Sequence, residues 1–166
     1  MDTEAEERYV SMRLAHGDIA NVIDLLNRVK AVSDTSIKVA LVRYCIIEYA
    51  KPFKASRGVF RTNFRRIDEE SVFPGGNSDH KALITERDQR IAHGDITAFR
   101  PQLHYWSQPD IFPIVLKGSH LYDNIDKLIE KMLGLSEVVL KYLTGQMAVL
   151  EAEFREQIRN KDPAWK

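Results

Sequence analysis

The chain has 166 residues, 44% of them hydrophobic, which is enough for one core and cramped for two, so a single domain over residues 1–166 is expected. Lysine plus arginine and aspartate plus glutamate each number 24, so no global field draws the chain toward nucleic acid or membrane, and local patches must carry any such role. Cys45 stands alone, which excludes an internal disulfide and argues against a thiolate metal cluster. The acidic start MDTEAEERY is no signal peptide, and no run of about 18 apolar residues is present to span a bilayer. A soluble cytoplasmic protein, away from the membrane, is expected.

In chain order, Glu4 to His16 has helical spacing through Tyr9, Met12, Arg13 and His16, and Gly17 is expected to stop it. Asp18 then caps a second helix, roughly Ile19 to Val32, with Ile19, Val22, Ile23, Leu25, Leu26 and Val29 on one wide face. The SDTS stretch starts a third helix, about Ser36 to Ala50. It is apolar nearly all round and therefore expected to be central, and it ends before Pro52. Glu48 on that helix either escapes to solvent near the helix end or meets an arginine.

Residues 51–77 look irregular, with FPGGNS as a loop signal. A fourth helix runs from about Asp79 to His93. A proline-rich stretch with Pro101, Pro109 and Pro113 follows, containing a short extended piece near Phe112 to Leu116. The last helix carries Leu121, Ile125, Leu128, Met132, Leu135, Val139 and Tyr142 in alternating steps of four and three. This seam is either bundle core or dimer contact, with Gly134 or Gly145 as candidate breaks. The expected fold is all-α: an antiparallel helical bundle of about five helices with a long proline-rich loop after the fourth.

Two heptapeptides nearly coincide: RLAHGDI from Arg13 and RIAHGDI from Arg90, differing only at Leu14 against Ile91. Their flanks share nothing, which argues against a duplicated domain. Both fit a helix C-terminus, where Arg and His meet the negative end of the dipole and Gly takes a left-handed turn. The second copy has more around it. ERDQRIAH sets Glu86, Arg87, Asp88, Arg90 and His93 in about two turns, rising roughly 9 Å from Arg87 to His93. Glu86 and Arg90 also have the spacing of an ordinary surface ion pair.

The Arg87-Asp88 pair followed by His93 resembles the R-x(4–6)-H motif of HEPN domains, in which a polar residue follows the arginine. With EYAKPFKASRG after the third helix and HYWSQPDIFPIV after the motif, residues from about 36 to 130 look most like the AbiU-type abortive-infection branch. The resemblance implies metal-independent RNA cleavage at a twofold dimer interface, in phage defence or a toxin–antitoxin system, with RNA as substrate and an antitoxin protein as partner. It assigns His93 as general base or acid, Arg87 as phosphate clamp, Asp88 as the group that orients either, and Arg90 as a support for substrate. No metal or cofactor is expected, since His16, His80, His93, His104 and His120 are scattered. In KPFKASRGVFRTNFRR, Lys54, Arg57, Arg61 and Arg65 have helical spacing with phenylalanines interleaved. That stretch is either an RNA track or a set of core phenylalanines with ion-paired arginines. The alternative for the whole chain is a non-catalytic helical module for protein or RNA interaction, in which the RDQRIAHGD cluster is a structural helix terminus.

Overall fold

The computed structural model describes residues 4–54, 56–57, 64–65, 67–92, 102–103, 114–115 and 120–161. The fold is all-α, an antiparallel bundle with five α-helices among the described residues: α1 (Glu4–Val29), α2 (Thr35–Ala50), α3 (Glu69–Val72), α4 (Ser78–Thr85) and α5 (Ile125–Lys161). No helix among the described residues is long and apolar enough to cross a membrane.

The first departure from expectation is α1, which runs unbroken through Gly17 instead of splitting into two helices. Gly75 and Gly76 have positive φ among the described glycines; Gly17 does not. The reason is the core stripe. Ala15, Ile19, Val22, Leu26 and Val29 are buried in one helical register that spans the glycine. Burying those side chains against α5 outweighs the cost of about 1 kcal/mol for an interior glycine. The first RLAHGDI copy is therefore mid-helix, not a helix terminus, and Asp18 does not start a helix there. Asp18 lies half-buried within electrostatic reach of Glu48 and Lys51. Burial raises its carboxyl above the ordinary value and Glu48 adds to this, against the pull of Lys51. A Cβ at position 17 meets nothing within 4 Å. Gly17→Ala is accordingly expected to raise stability by about 0.5–1 kcal/mol in urea titration, whereas a left-handed cap glycine would lose stability on the same change.

α2 begins where the SDTS signal predicts, with the Asp34 carboxylate accepting from Ile37 N at 2.9 Å. It packs against α1, α4, α5 and the segment after α4, burying Val42, Cys45, Ile46, Tyr49 and Ala50. It is not wrapped all round, because Ile37 and Tyr44 are more than half exposed on its outer side. Burial pushes the Cys45 thiol up to about 12, so it stays an inert core thiol. Glu48 takes neither expected course: its carboxylate accepts from Lys51 Nζ at 2.6 Å. The chain then tightens into a 3₁₀ turn, Lys51–Phe53, with Pro52 in its first positions.

Beyond that turn, β1 (Ser56–Arg57) and β2 (Phe64–Arg65) pair antiparallel, Ser56 opposite Arg65 and Arg57 opposite Phe64. This overturns the helical basic stripe, because extended backbone at these positions cannot set Lys54, Arg57, Arg61 and Arg65 on one helix face. Arg61 and the side chains of Arg57 and Arg65 lie outside the described residues. Ile67 N donates to Pro52 O at 2.8 Å and closes the excursion. Asp68 caps α3, the FPGGNS loop turns through Gly75 and Gly76, and Asn77 caps α4. A second minimal ladder joins β3 (Gln102–Leu103), where no strand is expected, to β4 (Ile114–Val115), which falls in the expected extended piece; the rest of the proline-rich stretch lies outside the described residues.

α5 follows a 3₁₀ turn, His120–Tyr122, and neither Gly134 nor Gly145 interrupts it. Leu128, Met132, Leu135 and Val139 are buried, and the stripe continues through Leu143, Met147 and Leu150. The predicted seam is thus intrachain core. α1 and α5 run antiparallel along most of α1, tied by Tyr9 to Glu151 at 2.6 Å, Arg8 to Gln146 at 3.3 Å and Lys30 to Glu130 at 2.8 Å.

Candidate functional site at the end of α4

The predicted fourth helix is two structures in one. After Thr85 the backbone passes from α into π register and stays there over Glu86–Ala92. Such i→i+5 turns are rare and cluster at functional sites. Here the widened turn carries the ERDQRIA sequence, so Arg87 and Arg90 are not spaced as on a regular α-helix.

Two anchors hold this segment. On the inner side Glu86 is buried, with Arg90 Nε at 3.6 Å from its carboxylate. Tyr122, just before α5, stands close to both Glu86 and Arg43, and the Arg43 guanidinium carbon lies 5.2 Å from the centroid of the Tyr122 ring. Burial raises the Tyr122 phenol, Glu86 adds to this, and Arg43 opposes it; the phenol stays protonated. The Glu86–Arg90 pair predicted from spacing therefore exists, but buried, not on the surface. Arg90, expected to support substrate, is directed toward Glu86. Taking the charge from Glu86 leaves a guanidinium in a low-dielectric place without its carboxylate. Glu86→Gln is expected to cost about 2 kcal/mol, read as a lower urea midpoint.

On the outer side, Asp88 is gripped from two directions. Lys54 Nζ donates to Oδ2 at 2.5 Å, and Arg87 Nη1 donates to Oδ1 at 2.9 Å. The three side chains are 30%, 36% and 31% exposed for Lys54, Asp88 and Arg87, so the cluster is open to solvent on one side. Burial raises the Asp88 carboxyl, but Lys54 and Arg87 together outweigh this and hold it below its ordinary value, so it is ionised at neutral pH. Ion pairs this accessible are typically worth about 0–1 kcal/mol each.

Of the predicted site residues, the fold thus brings together Lys54, Arg87 and Asp88, which are 34 positions apart at their widest. It turns Arg90 inward, and His93 lies outside the described residues. Asp88 contacts both Arg87 and Lys54.

Sequence reasoning also missed a second polar centre. His80 is buried inside a box of Tyr49, Phe53 and Phe73, with ring centroids 5.8, 4.6 and 4.8 Å away. The Tyr49 hydroxyl and His80 Nδ1 are 2.8 Å apart, and Nε2 is 3.3 Å from Glu69 Oε2. A hydroxyl that donates to Nδ1 leaves the ring proton on Nε2, on the side of the carboxylate. Burial lowers the His80 pKa. Glu69 opposes this, and Lys54 and Lys81 reinforce it, so the ring is neutral at pH 7. The available signal was the spacing of His80 and Leu83 on the inward side of α4, but a lone histidine on an apolar face announces no partner.

Among the described residues no group of three or more His, Cys, Asp or Glu side chains is arranged to hold a metal ion. Comparison of the chain with protein-family models, with curated proteins and with solved structures finds no match.

Proposed function

We propose that this chain is a HEPN-like, metal-independent endoribonuclease that acts as a cytoplasmic homodimer in phage defence or a toxin–antitoxin pair. The observation that carries the proposal is the solvent-open cluster that Arg87 and Asp88 of the π-helical segment Glu86–Ala92 form with Lys54 from the turn after α2. RNA brings its own nucleophile, the 2′-hydroxyl. Cleavage then needs a base for that hydroxyl, an acid for the departing 5′-oxygen and positive charge at the phosphate. His93 takes the proton-transfer role, since an imidazole with a pKa near ~6.5 serves as base or acid at neutral pH. Arg87 clamps the phosphate, oriented by Asp88. Arg90 acts from beneath, through Glu86. A twofold axis beside this segment supplies two copies of each group to one groove.

One observation favours a second reading, a non-catalytic interaction module. Lys54 and Arg87 each pair with Asp88, and Arg90 pairs with Glu86, which is what a structural helix terminus also needs. Incubating the purified chain with mixed RNA in EDTA separates the two. The enzyme cleaves without metal, whereas the module leaves the RNA intact at every protein concentration.

A further inference from the structure

We propose that Lys54 and Arg87 form a binding site for a phosphate group and that Asp88 occupies it as an internal competitor. The inference rests on the nuclease reading for Arg87 and departs from it at Asp88, which here blocks the site as well as ordering it.

The geometry is that of an anion clamp already filled. An ammonium from the turn after α2 and a guanidinium from the π segment meet on opposite oxygens of one carboxylate, at 2.5 and 2.9 Å. Two oxygens of a phosphate accept from the same donor pair, and a guanidinium fork beside a point-charge ammonium suits phosphate at least as well as carboxylate. The cluster keeps a net single positive charge with Asp88 in place and a double one when Asp88 swings out. Each member retains about a third of its side-chain surface, so a ligand reaches the cations without opening the core. The nearby imidazole of His80 is uncharged and offers no competing cation. Asp88 itself is ionised through the neutral range, so what a ligand must displace is a carboxylate and not a proton. Its hold is weak for the reason given above, which makes displacement inexpensive.

The test uses two probes on the full chain: inorganic phosphate by calorimetry, and a short RNA with 2′-O-methyl groups, which lacks the nucleophile and survives, by fluorescence anisotropy. Asp88→Asn keeps the shape and removes the charge; Asp88→Ser is the second variant, and both are checked by circular dichroism. Asp88→Asn is expected to tighten phosphate binding about five-fold, and adding Lys54→Ala or Arg87→Ala to it is expected to abolish the gain. Gains with both probes assign the site to the strand phosphate; a gain with inorganic phosphate alone assigns it to the free ion. No gain in either Asp88 variant, or a gain that survives loss of both cations, overturns the proposal. A gain in a protein that never cuts RNA retains this site and removes the nuclease, whereas cutting without a gain does the reverse.

Discussion

His93→Ala and Arg87→Ala are each expected to lower metal-free RNA cleavage by roughly 10²–10⁴-fold, the range typical of a positioned general acid–base group or a charge-stabilising donor. The two variants should differ in kind. Loss of His93 removes proton transfer and flattens the pH–rate profile, while loss of Arg87 weakens phosphate binding and leaves the profile's shape. Arg87→Lys restores charge without the fork and is expected to recover only part of the rate. In the proposed twofold arrangement, mixing His93→Ala with Arg87→Ala protein should return some activity through heterodimers carrying one intact half of each set. Cleavage traces that are the same in parent and both variants would remove the enzyme.

The second large effect concerns stability. His80→Ala is expected to cost about 3 kcal/mol, because it empties a box lined by Tyr49, Phe53 and Phe73 and leaves the Tyr49 hydroxyl buried without its acceptor. Replacing both polar partners, Tyr49→Phe with His80→Phe, should recover most of that, since an apolar pair of similar shape needs no hydrogen bond. The same pair of variants isolates a pH effect. The folded pKa of His80 lies below the value near ~6.5 expected when unfolded, so the unfolded chain takes up the proton first. The stability contributed by neutral His80 is full above pH ~6.5 and declines as the pH falls from there toward the folded value. Urea midpoints at pH 7.5 and 5.5 should therefore drop further in the parent than in the double variant. Equal slopes would mean that the imidazole is not the titrating group.

Periodicity made much of the bundle legible. The stripe from Leu128 through Val139 identifies α5 and its buried side, and Asp34 marks the start of α2, because both signals are local and the tertiary structure agrees with them. Gly17 misled for the opposite reason. A glycine is a stop only when nothing on either side needs the helix to continue, and here Ala15 and Ile19 both belong to the core. Hydrophobicity all round α2 says nothing of which neighbours exist, and Ile37 and Tyr44 stay about half exposed. Two-residue ladders such as Ser56–Arg57 with Phe64–Arg65 have no alternation long enough to see. At the candidate site, the motif points to Arg87 and Asp88. The π register and the reach of Lys54 to Asp88 depend on a three-dimensional fit that no spacing rule encodes.

The antiparallel pairing of α1 with α5 has a consequence for how the chain acquires its structure. Tyr9 meets Glu151 across 142 positions, so α1 cannot complete its packing until α5 has been made. A chain emerging from a ribosome carries the oily edge of Ile19, Val22 and Leu26 uncovered, save for what α2 shields, until α5 has been synthesised. Closing so distant a pair is entropically costly before any packing repays it, so a slow, late docking step should dominate folding. A chain interrupted within α5 should keep α2 against α1 and leave the side of α1 that α5 covers exposed to aggregation.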